Sequence, residues 1–192
     1  MGRSLYIGDA LYWQLLMIKK IIITGSPCTG KSTVISTLSE LSYFTSKEVA
    51  RQVIKEQVAI NSNKVPWLDN LGFSELVIKQ QLQDHACATQ NITFFDRGIP
   101  DVLAYMKFYQ QNHLIHHFKE HAINTRYDTE VFILPPWKEV YAKDIERHET
   151  FQESLKIHEY LIQTYQEYGY NLTEVPLVKP AERVKFMLDR CQ

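Results

Sequence analysis

The stretch KKIIITGSPCTGKSTVISTL, residues 19–38, constrains the chain more than any other. Its KIIIT portion, residues 20–24, is a continuous β-branched run, the composition of a strand buried on both faces. Gly25-Ser26-Pro27-Cys28-Thr29-Gly30-Lys31-Ser32 then satisfies G-x-x-x-x-G-K-[ST] at every fixed position, and Thr33 adds a second hydroxyl. Gly25 and Gly30 permit backbone angles and a close approach that a Cβ would block. The amides between them can turn inward as an anion-binding nest. The helix expected from Ser32 to Leu41 adds its positive N-terminal end, worth about 0.3–1 kcal/mol per exposed anionic charge nearby. The pattern predicts that Lys31 reaches the β- and γ-phosphates of a nucleotide and that the Ser32 hydroxyl binds Mg²⁺. The bland alternative is a glycine-rich turn with no ligand, but a strand before and a helix after are the context this motif demands. Cys28 reads as a small residue that fits the loop rather than as a redox thiol.

Beyond this motif, short apolar runs alternate with longer amphipathic ones. SYFT (42–45) is a weak strand followed by a helix over KEVARQVIKEQVA, and NSNKVPWLDNLG (61–72) reads as a loop. A long helix is expected over 73–90, a strand over ITFFD (92–96), and a helix over 98–112. The strand EVFIL (130–134) stops at Pro135-Pro136, a charged stretch runs from Trp137 to Glu149, and a helix is expected over 151–169. A last strand, NLTEVP, and a closing helix, AERVKFMLDRC, complete the chain. Such alternation implies an α/β fold with a parallel sheet covered by helices on both faces. Residues 17–192 read as one domain with a lid around 137–168. Residues 1–16 read as an optional extension: Asp9 and Gln14 interrupt the apolar run, which is too short for the roughly 20 residues a membrane helix needs.

The second chemical signal is ITFFDRGIPD, which puts Asp96 at the carboxyl end of a buried strand, where ligands bind in parallel sheets. A carboxylate there can hold Mg²⁺ through its water shell or accept a proton from an attacking hydroxyl. A water-activating glutamate would follow in a motor-type ATPase; this chain has Arg97, whose guanidinium forks onto phosphate oxygens. A structural ion pair at the strand end is the alternative.

Composition narrows the partners. The 192 residues carry a formal charge of −1, without the basic excess of a protein that lives on nucleic acid. Cys28, Cys87 and Cys191 are too few and scattered for a disulfide framework or a zinc site, so reduced thiols and a cytoplasmic location are expected. His113, His116, His117 and His121 form a loose cluster read as exposed helix rather than metal ligands. No nucleic acid and no membrane are expected, and a homodimer is the oligomer to test.

GSPCTGKST, KEVAR, FFDRGIPDVLAY, FILPPW, DIERHETF and YGYNLTEVP together resemble the AAA-28 domain family of small P-loop ATPases and kinases. That family is similar to the ribosylnicotinamide-kinase domain of NAD-biosynthesis regulators and, more distantly, to nucleoside and nucleotide kinases. The resemblance implies a P-loop NTPase fold: a nucleotide-kinase-like three-layer sandwich whose five-stranded, mostly parallel sheet has the order 2-3-1-4-5, with a helical lid. It implies ATP and Mg²⁺ at Lys31 and Ser32, Asp96 and Arg97 between two substrates, and an E-x-x-R pair, Glu48 and Arg51, at the acceptor. Glu48 would act as base or hold a substrate hydroxyl; read from the residues alone, the two could simply pair at i,i+3 on a helix surface. Arg147, in YAKDIERHETF, would close over the phosphates from the lid. Trp67, Phe73, Tyr105 or Tyr109 can stack on an aromatic acceptor, or simply belong to the core.

Three activities fit these residues. A small-molecule kinase would move the γ-phosphate of ATP to a nucleoside-, nucleotide- or vitamin-like acceptor. An NTP hydrolase or switch would act on a partner, and a sensor would bind nucleotide without turnover. Asp96-Arg97 without a following glutamate favours the kinase over the hydrolase, and intact Lys31, Ser32 and Asp96 disfavour the sensor.

Overall fold

The computed structural model describes residues 18–141 and 149–191. Five parallel strands form one sheet in the order β2-β3-β1-β4-β5: β1 (Lys19–Thr24), β2 (Phe44–Thr45), β3 (Ile92–Asp96), β4 (Glu130–Ile133) and β5 (Asn171–Glu174). The order and parallel pairing agree with the sequence expectation. The helices are α1 (Lys31–Glu40), α2 (Val49–Ala59), α3 (Asn70–Cys87), α4 (Ile99–Phe108), α5 (Lys119–Asn124), α6 (Phe151–Glu167) and α7 (Pro180–Leu188). Among the described residues, no helix is long and apolar enough to cross a membrane.

Strand β1 explains the layering. Its side chains alternate between faces, so Ile21 and Ile23 join Val34, Leu38, Phe94, Phe132, Val184 and Met187 on the side covered by α1 and α7. Ile22 points the other way, into Phe95, Val131, Ile133, Ile157, Leu161 and Tyr165 beneath α4 and α6. Both faces are dry, which is why the sequence here is uninterrupted isoleucine rather than alternating. Full burial of one such side chain contributes about 1.5–3 kcal/mol.

Several boundaries differ from expectation for local reasons. The fourth helix stops at Phe108 because Gln110 takes φ 59° and the Gln111 amide turns back to Met106 O (2.8 Å). A 3₁₀ turn, Asn112–His117, and the short α5 follow, so His116 and His117 are exposed on a turn rather than on a regular helix. Helix α3 begins three residues earlier than expected because Asp69 caps it, accepting from the Gly72 amide (2.9 Å). In the segment read as a lid, α6 starts at a capping box between Thr150 and Glu153 and buries Ile157, Leu161 and Tyr165 in the core.

The chain passes from β1 to β2 and β3 on one side and to β4 on the other, which opens a crevice at the carboxyl ends of β1 and β3. The register pairs Ile23 with Asp96, so the end of β3 lies beside the loop that follows β1. Ile22→Ala removes a side chain that touches no solvent and is expected to cost about 2–5 kcal/mol in chemical denaturation. A loss under about 1 kcal/mol would contradict the two-faced packing of β1.

Candidate active site

The loop between β1 and α1 is built around two left-handed glycines. Gly25 has φ 149°, and a Cβ there would lie 2.6 Å from the Leu134 carbonyl oxygen. Gly30 has φ 85° and caps α1, which begins at Lys31. Cys28 also takes a positive φ, 62°, in this turn. Ser26, Thr29 and Lys31 are buried and Pro27 is half-buried, whereas Ser32 and Thr33 are exposed on the first turn of α1. Neighbouring elements clamp the loop. Ser154 on α6 shares a hydrogen bond with the Ser26 hydroxyl (2.8 Å) and donates to Pro27 O (3.2 Å). Arg183 on α7 donates to Thr29 O (2.9 Å) and lies over the Trp137 ring, 4.8 Å from its centroid.

Lys31 is 6% exposed, and its ammonium donates to the carbonyls of Gly25 (3.0 Å) and Ser26 (3.4 Å). Burial pushes its pKa down to about 8, helped by the Arg97 charge and only partly opposed by Asp96 and Glu48. Asp96 ends β3 with its amide bonded to the Ser46 hydroxyl (2.9 Å), but its Oδ1 has no hydrogen-bond partner among the described residues although the residue is only 4% exposed. Burial raises the Asp96 pKa, and the Lys31 and Arg97 charges oppose that rise without cancelling it. An unpartnered buried carboxylate oxygen beside a phosphate loop is a donor waiting for a cation, and it fits Mg²⁺, which prefers oxygen ligands and commonly takes one or two carboxylates with substrate phosphates.

Arg97 stands beside these groups on a left-handed backbone, φ 72°. Its guanidinium donates to Gly25 O (3.0 Å) and to Asp101 Oδ1 (3.2 Å), faces Glu48 at 3.6 Å, and lies over the Tyr105 ring. Burial works against its charge, but Tyr105, Asp101, Glu48 and Asp96 outweigh burial and hold it protonated. Glu48 also pairs with Arg51 at 3.4 Å, so E-x-x-R both forms the i,i+3 pair and faces Arg97. Lys31, Glu48, Asp96 and Arg97 thus meet; Arg51 joins through Glu48, and Arg147 lies outside the described residues.

Lys31, Glu48, Arg51, Asp96 and Arg97 all line one cavity of about 420 Å³. Its walls are mainly apolar: Val49 and Ile54 from α2, Phe73 and Val77 from α3, Val102, Tyr105 and Met106 from α4, with Trp67 and Tyr109 near by. Gln81 on α3 also lines it, is 5% exposed, and has no partner for Oε1 among the described residues. Sequence reasoning passed over Gln81, Asp101, Ser154, Tyr165 and Arg183. Only Gln81 left a local trace, since a glutamine in step with Ser74, Val77 and Ile78 interrupts a buried helical stripe.

Two solution measurements test this electrostatic picture. Asp96 disfavours its charged form in the fold, so the folded protein carries a penalty that grows as pH rises from the ordinary carboxylate range. Asp96→Asn should therefore raise the melting temperature of the nucleotide-free protein at pH 7. The gain should shrink toward pH 4, and a lower melting temperature would contradict the penalty. Lys31, with its pKa near 8, should regain its proton when polyphosphate arrives. Calorimetry in buffers of different ionisation enthalpy should then find uptake of about half a proton per Mg-ATP at pH 8, fading below pH 7; no uptake at pH 8 would refute it.

With the geometry established, comparison places the chain among known proteins. The AAA-28 family model, described as an AAA domain, matches residues 20–183. No curated protein matches the sequence. A deoxyadenosine kinase from M. mycoides, solved with dCMP and dCDP, superposes with a TM-score of 0.64 at 15% identity, covering 89% of this chain and 97% of that one. The NadR protein in complex with NR gives a TM-score of 0.69 at 20% identity over 92% of this chain and 52% of NadR, so the chain spans about half the length of NadR. Thymidylate kinase from Candida albicans gives a TM-score of 0.63 at 16% identity, covering 90% of each chain. At these identities the likeness is one of fold.

Proposed function

The chain belongs to the AAA-28 family of AAA domains, and from that footing we propose that it is a small-molecule kinase that moves the γ-phosphate of ATP to a hydroxyl of a nucleoside-like acceptor. The observation that carries this reading is the meeting of Lys31, Arg97 and Asp96, whose Oδ1 has no partner among the described residues, in the lining of a mainly apolar cavity. A pure hydrolase needs room for water and a group to activate it. Here the space beside the phosphate loop is shaped for an organic molecule, and arginine follows Asp96. The kinases of similar fold, which include a deoxyadenosine kinase and a thymidylate kinase, support the same class.

Each residue then has a task. The loop amides over Gly25–Thr33 and the head of α1 hold the β- and γ-phosphates, with Lys31 released from its two carbonyls to neutralise them. Ser32 and Asp96 would hold Mg²⁺, which supplies charge neutralisation on the phosphate oxygens. Glu48, held by Arg51 and Arg97, accepts the proton of the attacking hydroxyl, and Arg97 stabilises charge on the group in flight. The transfer converts the hydroxyl and ATP into a phosphate ester and ADP. Arg147 retains its proposed part as the closing cation, which would exclude water during transfer.

The charge pairing in the cavity supports a nucleoside rather than a nucleotide as acceptor. Arg97 is already paired with Asp101 and Glu48, Arg51 with Glu48, and Lys55 on the same wall has an interaction of its own. An incoming monophosphate would have to break those pairs, whereas a neutral hydroxyl would not. Gln81 offers an amide to a polar ring edge in a cleft with aromatic walls.

Incubating the protein with Mg-ATP and a panel of nucleosides, nucleoside monophosphates and vitamins, with ADP and phosphorylated product both followed, tests the reading. Product is expected from a nucleoside and should fall at least about 100-fold in Lys31→Ala. Gln81→Leu should raise the acceptor KM about tenfold while leaving the Mg-ATP KM within about twofold. ADP release indifferent to every acceptor would support the hydrolase instead, and binding without turnover the sensor.

A further inference from the structure

Asp101 lies on the first turn of α4, 2% exposed, with both carboxylate oxygens fully engaged. Oδ1 accepts from the Thr24 hydroxyl (2.6 Å) and from Arg97 Nη1 (3.2 Å). Oδ2 accepts from the Gly98 amide (2.9 Å) and from the Tyr165 hydroxyl in a short bond. Capping α4 needs only the Gly98 contact. The other three donors come from the last residue of β1, from Arg97, and from a fully buried tyrosine of α6, 64 residues away in sequence. Arg97 itself sits on a left-handed backbone that side chains rarely adopt, so surrounding bonds must hold it there. Its amide bonds to Ile23 O (3.1 Å), and Asp101 fixes both its guanidinium and the next residue, Gly98.

The same face of α6 reaches the phosphate loop. Ser154 and Tyr165 are eleven positions apart, about three helical turns; the first bonds Ser26 and Pro27, and the second bonds Asp101. We propose that Asp101 and Tyr165 are positioning residues: together they aim the Arg97 guanidinium at the transferred phosphoryl group and tie its orientation to helix α6, which also pins the phosphate loop. The catalytic part of this proposal rests on the kinase reading above; the orientation of Arg97 by Asp101 does not. A carboxylate satisfied by four donors holds its partners without reorganising when charge develops nearby, which is the property a preorganised site requires.

The test separates the two. In unliganded protein, the side-chain N–H signal of Arg97, assigned by its loss in Arg97→Ala, reports the guanidinium's environment without any turnover. It should shift and exchange faster with water in Asp101→Asn and in Tyr165→Phe. In the transfer assay, Asp101→Asn should lower kcat about 30-fold or more, and Tyr165→Phe about three- to tenfold, with the KM for Mg-ATP changed less than about threefold. In an Arg97→Ala background the same Asp101→Asn change should cost less than about twofold, because the group it acts through is gone. An unchanged Arg97 signal, or full additivity of the two substitutions, would overturn the proposal. Tyr165→Phe preserves core volume and keeps the test decisive if Asp101→Asn does not fold. If the Arg97 signal moves as expected but wild-type protein phosphorylates no acceptor, the orientation stands and the kinase reading falls.

Discussion

The ammonium of Lys31 is held inside the protein against two backbone carbonyls, and the rest of the site is arranged around that fact. A buried cation is unfavourable unless carbonyls, carboxylates or a bound anion compensate for the lost water. Here compensation is partial: burial keeps the Lys31 pKa low, and Asp96 close by retains an unpartnered oxygen. The unliganded loop therefore carries unmet demand for negative charge at Lys31 and for positive charge at Asp96. A magnesium–polyphosphate complex would satisfy both at once. The sheet makes the arrangement possible by setting the ends of β1 and β3 side by side, and α6 and α7 stop the loop from relaxing by bonding Ser26, Pro27 and Thr29.

What was legible in the sequence was local. The phosphate loop could be read because strand, turn glycines, lysine and helix all lie within one short segment and each obeys a local rule. Asp96 and Arg97 could be read because a strand end in a parallel sheet has a known chemical meaning. Glu48 and Arg51 were readable as a pair, but only the fold shows that Arg97 completes it. Asp101 and Tyr165 were not readable, since the bond between them joins distant helices and either residue alone resembles ordinary core or cap. Gln81 was nearly readable, as a polar residue in a buried stripe, yet its orphaned Oε1 is a tertiary fact. The edge strand β2 was a weak signal because it is only two residues long, Phe44–Thr45, with its remaining alignment fixed by pairing to β3.

In the proposed kinase, acceptor choice would follow from how the charges are already committed. The cavity's two arginines are matched by Glu48 and Asp101, while the rest of its lining is mainly apolar, with Lys55, Asn70, Ser74, Gln81 and Glu149 adding polar groups. Such a cleft gains most from a ligand with a flat apolar body, a polar ring edge and an uncharged reactive group. Coupling enters through the same residues: the helix that follows the charged segment touches both the phosphate loop and the carboxylate that orients Arg97. In the proposed kinase, donor binding and acceptor alignment would therefore share this helix.

A crystal structure with magnesium and a non-hydrolysable ATP analogue tests the central claim most directly. The account predicts the β- and γ-phosphates seated on the amides of residues 25–33, with the Lys31 ammonium moved from the Gly25 and Ser26 carbonyls onto phosphate oxygens and a metal ion on the Asp96 side. Nucleotide bound elsewhere, or Lys31 still held by its carbonyls beneath an empty loop, would contradict it.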